Sequence, residues 1–187
     1  MAGPIRPAEP LGSPDPTGAA GLTADSMVIH RVTEDDWRSH KEIRLEMLRE
    51  EPGAFTTTLQ DVVDRTDAQW RAATATGAFF QARCGERVIG SAGLLDGAGP
   101  DDRRLVALYT RPAARGSGAG EALVRAAVEE ARRQGAAHVT LHVVRSNAPA
   151  IRLYSRMGFT RTGAVADDPA DPCGGQDEMR IALDVFP

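Results

Sequence analysis

The sequence predicts an α/β (α+β) fold on a mixed sheet. Three observations lead there. Apolar periodicities run in the order β-α-α-β-β-β-α-β-α-β-β. Two helical stretches carry apolar residues at i, i+3, i+4 and i+7. The strand–helix–strand unit from Arg104 to Val144 should be a right-handed crossover joining two parallel strands.

The elements follow in order. Val28 to Val32 reads as a first short strand. Thr33 to Asp36 fits a helix-capping signal, with an acid three residues after a threonine. The helix behind it runs through Trp37, Ile43, Met47 and Leu48 and is stopped by Pro52. A second helix is expected from about Leu59 to Ala75, through Val62, Val63 and Trp70. Phe79 to Arg83 and Arg87 to Leu95 pair as a hairpin across Cys84-Gly85-Glu86, and Arg104 to Thr110 is a further strand. Glu121 to Gln134 is the sharpest helix. Val124, Ala127, Val128 and Ala131 share one face, Arg125, Glu129, Arg132 and Arg133 cover the other, and Gly135 stands at the C-cap. His138 to Val144 alternates as a strand. Pro149 can open a helix on which Ala150, Leu153, Tyr154 and Met157 share a face, and Gly158 ends it. Phe159 to Val165 and Met179 to Phe186 close the sheet around an acidic, proline-rich loop.

Composition bounds the function. The 187 residues suit one domain with a sizeable core. Residues 27–187 carry the patterned sequence. Residues 1–26, rich in proline, glycine and alanine, read as a disordered arm, with Met27 as an alternative start. A net charge of −4 argues against a general nucleic-acid binder. No stretch approaches the roughly 18 apolar residues of a membrane span. Cys84 and Cys173 form neither a disulfide framework nor a CxxC zinc site, so no metal is expected.

The chemistry concentrates in RPAARGSGAG, residues 111–120, ahead of the sharpest helix and at the carboxyl end of a strand, where such units bind ligands. The first amides of a helix lack intrahelical acceptors and, with the helix dipole, bind phosphate. Gly116, Gly118 and Gly120 let an anion approach the backbone, and Arg115 adds a full charge. A pyrophosphate fits; a glycine-rich turn that binds nothing is the alternative. Two nucleotide patterns fail, since Gly120-Glu121 is not Gly-Lys-Ser/Thr and Glu121 stands where GxGxxG needs its third glycine.

The run Leu108-Tyr-Thr-Arg-Pro-Ala-Ala-Arg-Gly-Ser-Gly-Ala-Gly120 resembles the acyl-CoA signature of the GNAT superfamily of N-acetyltransferases, with Arg115, Gly118 and Gly120 in its fixed places. Asn147-x-x-Ala150-x-x-Leu153-Tyr154-x-x-x-Gly158-Phe159 resembles the family's second signature. The likeness covers about Val28 to Val185. It implies a mixed, mostly antiparallel sheet with a central parallel crossover and helices on both faces. It also implies acetyl-CoA as co-substrate and an amine acceptor, and it allows a homodimer. The cytoplasm is the expected location, because acetyl-CoA is there.

The resemblance further implies that the strands Arg104–Thr110 and His138–Val144 splay apart. The pantetheine arm would extend the Leu108, Tyr109, Thr110 edge. The pyrophosphate would rest on the amides of Arg115, Gly116, Ser117, Gly118, Ala119 and Gly120. Asn147 would lie near the arm; its other reading is a helix cap. A backbone N–H near Thr110 could serve as an oxyanion-hole donor. Tyr154 stands where the family places the proton donor to sulfur, its hydroxyl expected to find a polar partner; packing alone is the other reading. His142 occupies the place where some members carry a glutamate base. Its other reading is structural, and Glu178 and the acids of the Asp167–Asp177 loop are rivals. Glu50, Glu51, Asp61 and Asp64, with Asp167, Asp168, Asp171 and Asp177 of the later loop, would give a cationic acceptor acidic walls, or be solvated surface. The rival functions are a non-catalytic acyl-CoA-binding module and a small nucleotide-phosphate binder.

Overall fold

The computed structural model describes residues 27–166 and 175–183. Seven strands form one sheet: β1 (Met27–Arg31), β2 (Ala78–Cys84), β3 (Arg87–Asp96), β4 (Asp102–Thr110), β5 (His138–Val144), β6 (Thr160–Ala166) and β7 (Gln176–Ala182), in the spatial order β1-β2-β3-β4-β5-β7-β6. Every neighbouring pair is antiparallel except β4 and β5. The four helices are α1 (Trp37–Glu50), α2 (Asp67–Ala75), α3 (Ala119–Arg133) and α4 (Ala148–Arg156). The expected disordered arm and the acids Asp167, Asp168 and Asp171 lie outside the described residues.

The strand period of two separates two cores. Ile89, Ala92 and Leu94 of β3 join Leu123, Val124, Ala127 and Ala131 of α3, and Tyr154 and Phe159 extend that core at α4. Val88 and Tyr109 face the other way, onto Trp37, Ile43, Met47 and Leu48 of α1 and Trp70 of α2. Helices thus cover both faces of the sheet.

Several boundaries differ from expectation; β4 begins at Asp102 rather than Arg104, and β7 at Gln176 rather than Met179. Thr33 caps a single 3-10 turn, Glu34–Asp36, before α1 begins at Trp37. α2 starts at Asp67, eight residues later than the periodicity indicates, because Thr66 and Gln69 form the capping box. Val62 is buried nonetheless, on a turn whose amide reaches Leu59 O. Burial, not helix, accounts for Val62, whereas Val63 is exposed.

A polar network fastens α1 to the first strands. Asp36 takes hydrogen bonds from His30, Thr33 and Arg83, and Arg83 also donates to the fully buried Gln81. Burial pushes the Asp36 carboxyl up, but these donors together hold it well below the usual carboxylate range.

Candidate functional site

β4 and β5 pair only over Asp102–Arg104 and His138–Thr140. Beyond Arg104 and Thr140 the two strands have no ladder between them, and a cleft opens there. A bulge helps to bend β4. Val106 opposes Gly93 and Tyr109 opposes Ser91, so Ala107 and Leu108 face the single residue Ala92. Ala107 has φ +55, which a non-glycine residue rarely adopts. The extra residue turns Tyr109 towards α1. The amide of Arg111 bonds Ile89 O on β3, so by alternation the polar backbone groups of Thr110 point to the opposite side, into the gap.

The cleft has a volume of about 880 Å³. It runs from the α1–α2 loop, past the open edge of β4 and the glycine turn, to His142, Asn147 and Tyr154. The glycine turn forms as its sequence requires. Gly116 and Gly118 have φ +80 and +87, and a Cβ at either would meet nothing within 4 Å. They are glycines for backbone conformation, and the space above them is open. Gly118 is the N-cap of α3. Gly120 is different: a Cβ there would lie 3.3 Å from Leu153 Cδ2 and 3.6 Å from Thr110 Oγ1. The start of α3, the end of β4 and the middle of α4 converge at that point.

The expectation of six open amides is corrected by the turn itself. The amides of Arg115 and Ser117 bond Pro112 O and Ala114 O, and the Ser117 hydroxyl also donates to Ala114 O. Ala119 buries its methyl group in the α3 core. The amides of Gly116, Gly118, Ala119, Gly120 and Glu121 have no backbone acceptor among the described residues. Five N–H groups at the positive end of α3 remain for an anion.

Side chains from β4 and the turn grip the end of α1. Arg111 donates to both carboxylate oxygens of Glu46, at 2.7 and 2.6 Å. The Tyr109 hydroxyl donates to Glu50 at 2.6 Å and to Glu46 at 3.3 Å. Burial and these carboxylates push its phenol above the ordinary tyrosine range. Arg115 donates to Glu51 at 2.7 Å and to Thr110 O at 3.4 Å. The side chain of Tyr109 is therefore on the α1 face and its backbone pairs with Ser91 of β3, so Thr110 carries the polar backbone groups of the open edge. Asp61 accepts from the Thr58 amide and hydroxyl, and Asp177 pairs with Arg145 and Arg161. The expected acidic wall is largely committed to bonds within the protein. The Glu46–Arg111 pair was not legible as part of the site; an arginine just beyond a strand end has many partners within reach. Replacing Arg111 with Gln is expected to destabilise the fold by about 2 kcal/mol, since a half-buried carboxylate loses its fork. Urea denaturation checks this, and adding Glu46→Gln should recover most of the loss.

Asn147 caps α4, its side chain accepting from the Ala150 amide at 3.1 Å. It lines the cleft at the same time. His142 is on β5 directly opposite Glu178 of β7, with Nε2 3.7 Å from Oε2. Glu178 also accepts from the Thr162 hydroxyl at 2.9 Å. Val139, Leu141 and Val143 face the α3 core, so His142 projects from the opposite face. Tyr154 is 7% exposed, with its ring 5.9 Å from that of Phe159. Its hydroxyl has no hydrogen-bond partner among the described residues, contrary to the expectation from its sequence position. Burial holds the phenol protonated well above its ordinary range. Among the described residues no group of three His, Cys, Asp or Glu is placed to hold a metal ion. No described helix is long and apolar enough to cross a membrane.

Residues 40–159 match the model of the acetyltransferase (GNAT) family. Streptothricin acetyltransferase from Streptomyces lavendulae is 50% identical over 52 residues, 28% of each chain. N-acetyltransferase 8B from Rattus norvegicus is 37% identical over 89 residues, 46% of this chain and 40% of that one. The chain thus matches less than half the length of these relatives. Among solved structures, a putative acetyltransferase from Salmonella typhimurium, determined with its cofactor acetyl-CoA, superposes with TM-score 0.71 at 22% identity. It covers 86% of this chain and 96% of that chain. Nourseothricin acetyltransferase is 30% identical with TM-score 0.52, covering 57% of this chain and 65% of that one.

Proposed function

This chain belongs to the GNAT acetyltransferase family, and from that premise we propose that it transfers an acetyl group from acetyl-CoA to a primary amine of a small molecule or peptide. The observation that carries the reading is the unpaired parallel strand pair ending beside five open amides. The cleft fits coenzyme A in two independent ways. Anion donors cluster at one end, and an extended chain of amides can continue the open edge of β4.

Acetyl-CoA supplies the activated acetyl group on its thioester. The protein's own groups supply the rest. The open amides of the glycine turn hold the diphosphate, with Arg115 beside them. The Thr110 N–H, directed into the gap, donates to the thioester oxygen as negative charge grows there. His142 accepts the proton of the attacking amine, and Glu178 steadies the resulting imidazolium. The amine nitrogen bonds to the acetyl carbon, the carbon–sulfur bond breaks, and Tyr154 protonates the departing thiolate. A phenol kept neutral by burial suits that task. Solvent exchange returns the proton from His142 and restores Tyr154.

Thiol release from acetyl-CoA over an amine panel tests the reading. The names of two relatives place streptothricin and nourseothricin in the panel, beside polyamines, amino-acid derivatives and N-terminal peptides. Gly118→Val should weaken coenzyme A binding at least about tenfold, because a β-branched residue at φ +87 costs on the order of 1–2 kcal/mol and its methyl groups stand over the open amides. Calorimetry reads that change, and undiminished affinity would remove the glycine turn from the binding site. A non-catalytic acyl-CoA-binding module is favoured by the unpartnered Tyr154 hydroxyl; binding without thiol release across the panel would establish it. A homodimer, which the family allows, would be read from light scattering.

A further inference from the structure

The buried stripe of α1 runs through Trp37, His40, Ile43, Met47 and Leu48. Arg44 lies one turn after His40 and one turn before Leu48, on that same stripe. It is half-buried, and among the described residues it has no hydrogen bond and no ion pair. A guanidinium partly removed from water without a carboxylate is costly. The neighbouring groups add to that cost. Arg65 acts on Arg44 as a like charge and stacks on Trp70, its guanidinium carbon 5.5 Å from the ring centre. Among the described residues the buried indole N–H of Trp70 has no acceptor, and the buried Nδ1 of His40 has no partner. The two rings meet edge-on, 6.4 Å apart.

Further cations lie around Trp37, on the same helix. Arg38, Lys41 and Arg71 surround the Trp37 ring at 4.6, 6.0 and 5.1 Å. Of these five cations, Lys41 alone forms an ion pair among the described residues, with Asp67 at 3.4 Å. Asp61 lies close enough to Arg65 to feel its charge, but its carboxylate is bonded to Thr58.

We propose that Arg44, Arg65 and the Trp70 indole N–H form a binding site for a small oxyanion, a carboxylate or a phosphate, between α1 and the segment leading into α2. Such an anion accepts from the Arg44 fork and the indole N–H, and offsets the repulsion between the two guanidinium groups. The neutral imidazole of His40 can donate through Nδ1 in the tautomer that carries its proton there. Arg44 and Arg65 do not line the coenzyme cleft, so this site is separate from the proposed diphosphate site.

The chain has two tryptophans, so Trp37→Phe leaves Trp70 as the only indole reporter. That variant is titrated with inorganic phosphate and, separately, with acetate, at an ionic strength fixed with chloride. A saturable change in Trp70 emission is expected for one oxyanion or both, and the tighter of the two distinguishes phosphate from carboxylate. Arg44→Gln should weaken it at least about tenfold. Arg44→Lys keeps the charge without the fork and should fall between the two, which covers the case in which the Gln variant fails to fold. Calorimetry on the wild-type chain repeats the comparison without the tryptophan change, counting only the binding lost in the Arg44 variants. Emission that follows chloride equally, or affinity unchanged in both Arg44 variants, overturns the proposal.

Discussion

Tyr154→Phe is expected to lower turnover about a hundredfold while leaving coenzyme A affinity and thermal stability unchanged. The change removes one hydroxyl and keeps the ring that packs 5.9 Å from Phe159 in the α3 core. That hydroxyl holds no hydrogen bond among the described residues, so no structural bond is lost. A positioned general acid contributes typically 10²–10⁴-fold, and the lower end suits a thiolate, which is already a fair leaving group. Burial keeps the phenol protonated across the whole range from pH 6 to 9, so Tyr154 itself adds no inflection to the rate profile there. Steady-state kinetics at saturating acceptor, with calorimetry and thermal melts on the same samples, separate the outcomes. Unchanged turnover would leave Tyr154 as a packing residue. A large drop in melting temperature would reveal a structural bond and undo the catalytic reading of any rate loss.

The second large effect is on stability. His40 is buried among Phe79, Trp70 and Arg44, with ring centres 4.7 Å from Phe79 and 6.4 Å from Trp70. Burial first, and the Arg44 charge second, pull its imidazole down to about 4. Its unfolded value is the ordinary one near ~6.5. Between these values the unfolded chain binds the proton and the folded chain does not, so stability rises with pH. The contribution is complete above pH 6.5 and is lost as the pH falls to 4, at a cost of roughly 3 kcal/mol. His40→Leu should flatten that part of the profile. At pH 7 it should be nearly neutral, because it also removes the unpartnered buried Nδ1. Denaturant unfolding from pH 7 to 4 on both proteins makes the comparison, and an equal slope in the two would acquit His40. Asp36 adds a separate fall below pH 4, since its carboxyl is held below the usual range and its bonds are lost on protonation. The His40→Leu chain should keep that component.

Particular residues show where reading the sequence succeeds and where it stops. Glu121 to Gln134 was legible as a helix because one element's periodicity needs no knowledge of its neighbours; α3 begins only two residues earlier, at Ala119. The run of glycines before it was legible for the same reason, since positive φ at Gly116 and Gly118 is a local demand. Local rules failed when a tertiary contact competed with them. Val62 is buried on a turn, where its apolar character had suggested helix. The acids Glu50 and Glu51 read as a solvated or substrate-facing cluster, but Tyr109 of β4 and Arg115 of the glycine turn hold them. The bulge at Ala107 gives no sequence signal, because alanine carries no preference for φ +55 and the extra residue exists only relative to the partner strand.

The sequence by itself determined the order of elements, the glycine turn, the two motifs and so the family. Each depends on neighbours along the chain, where spacing is fixed by covalent geometry. Only the tertiary structure decided which amides of the turn remain open, where β4 parts from β5, and that Arg44 lies on a buried face without a counter-charge among the described residues. Those outcomes depend on which hydrogen bonds and charges from distant segments arrive first at a given atom. A donor already satisfied by a remote partner is no longer available to a ligand.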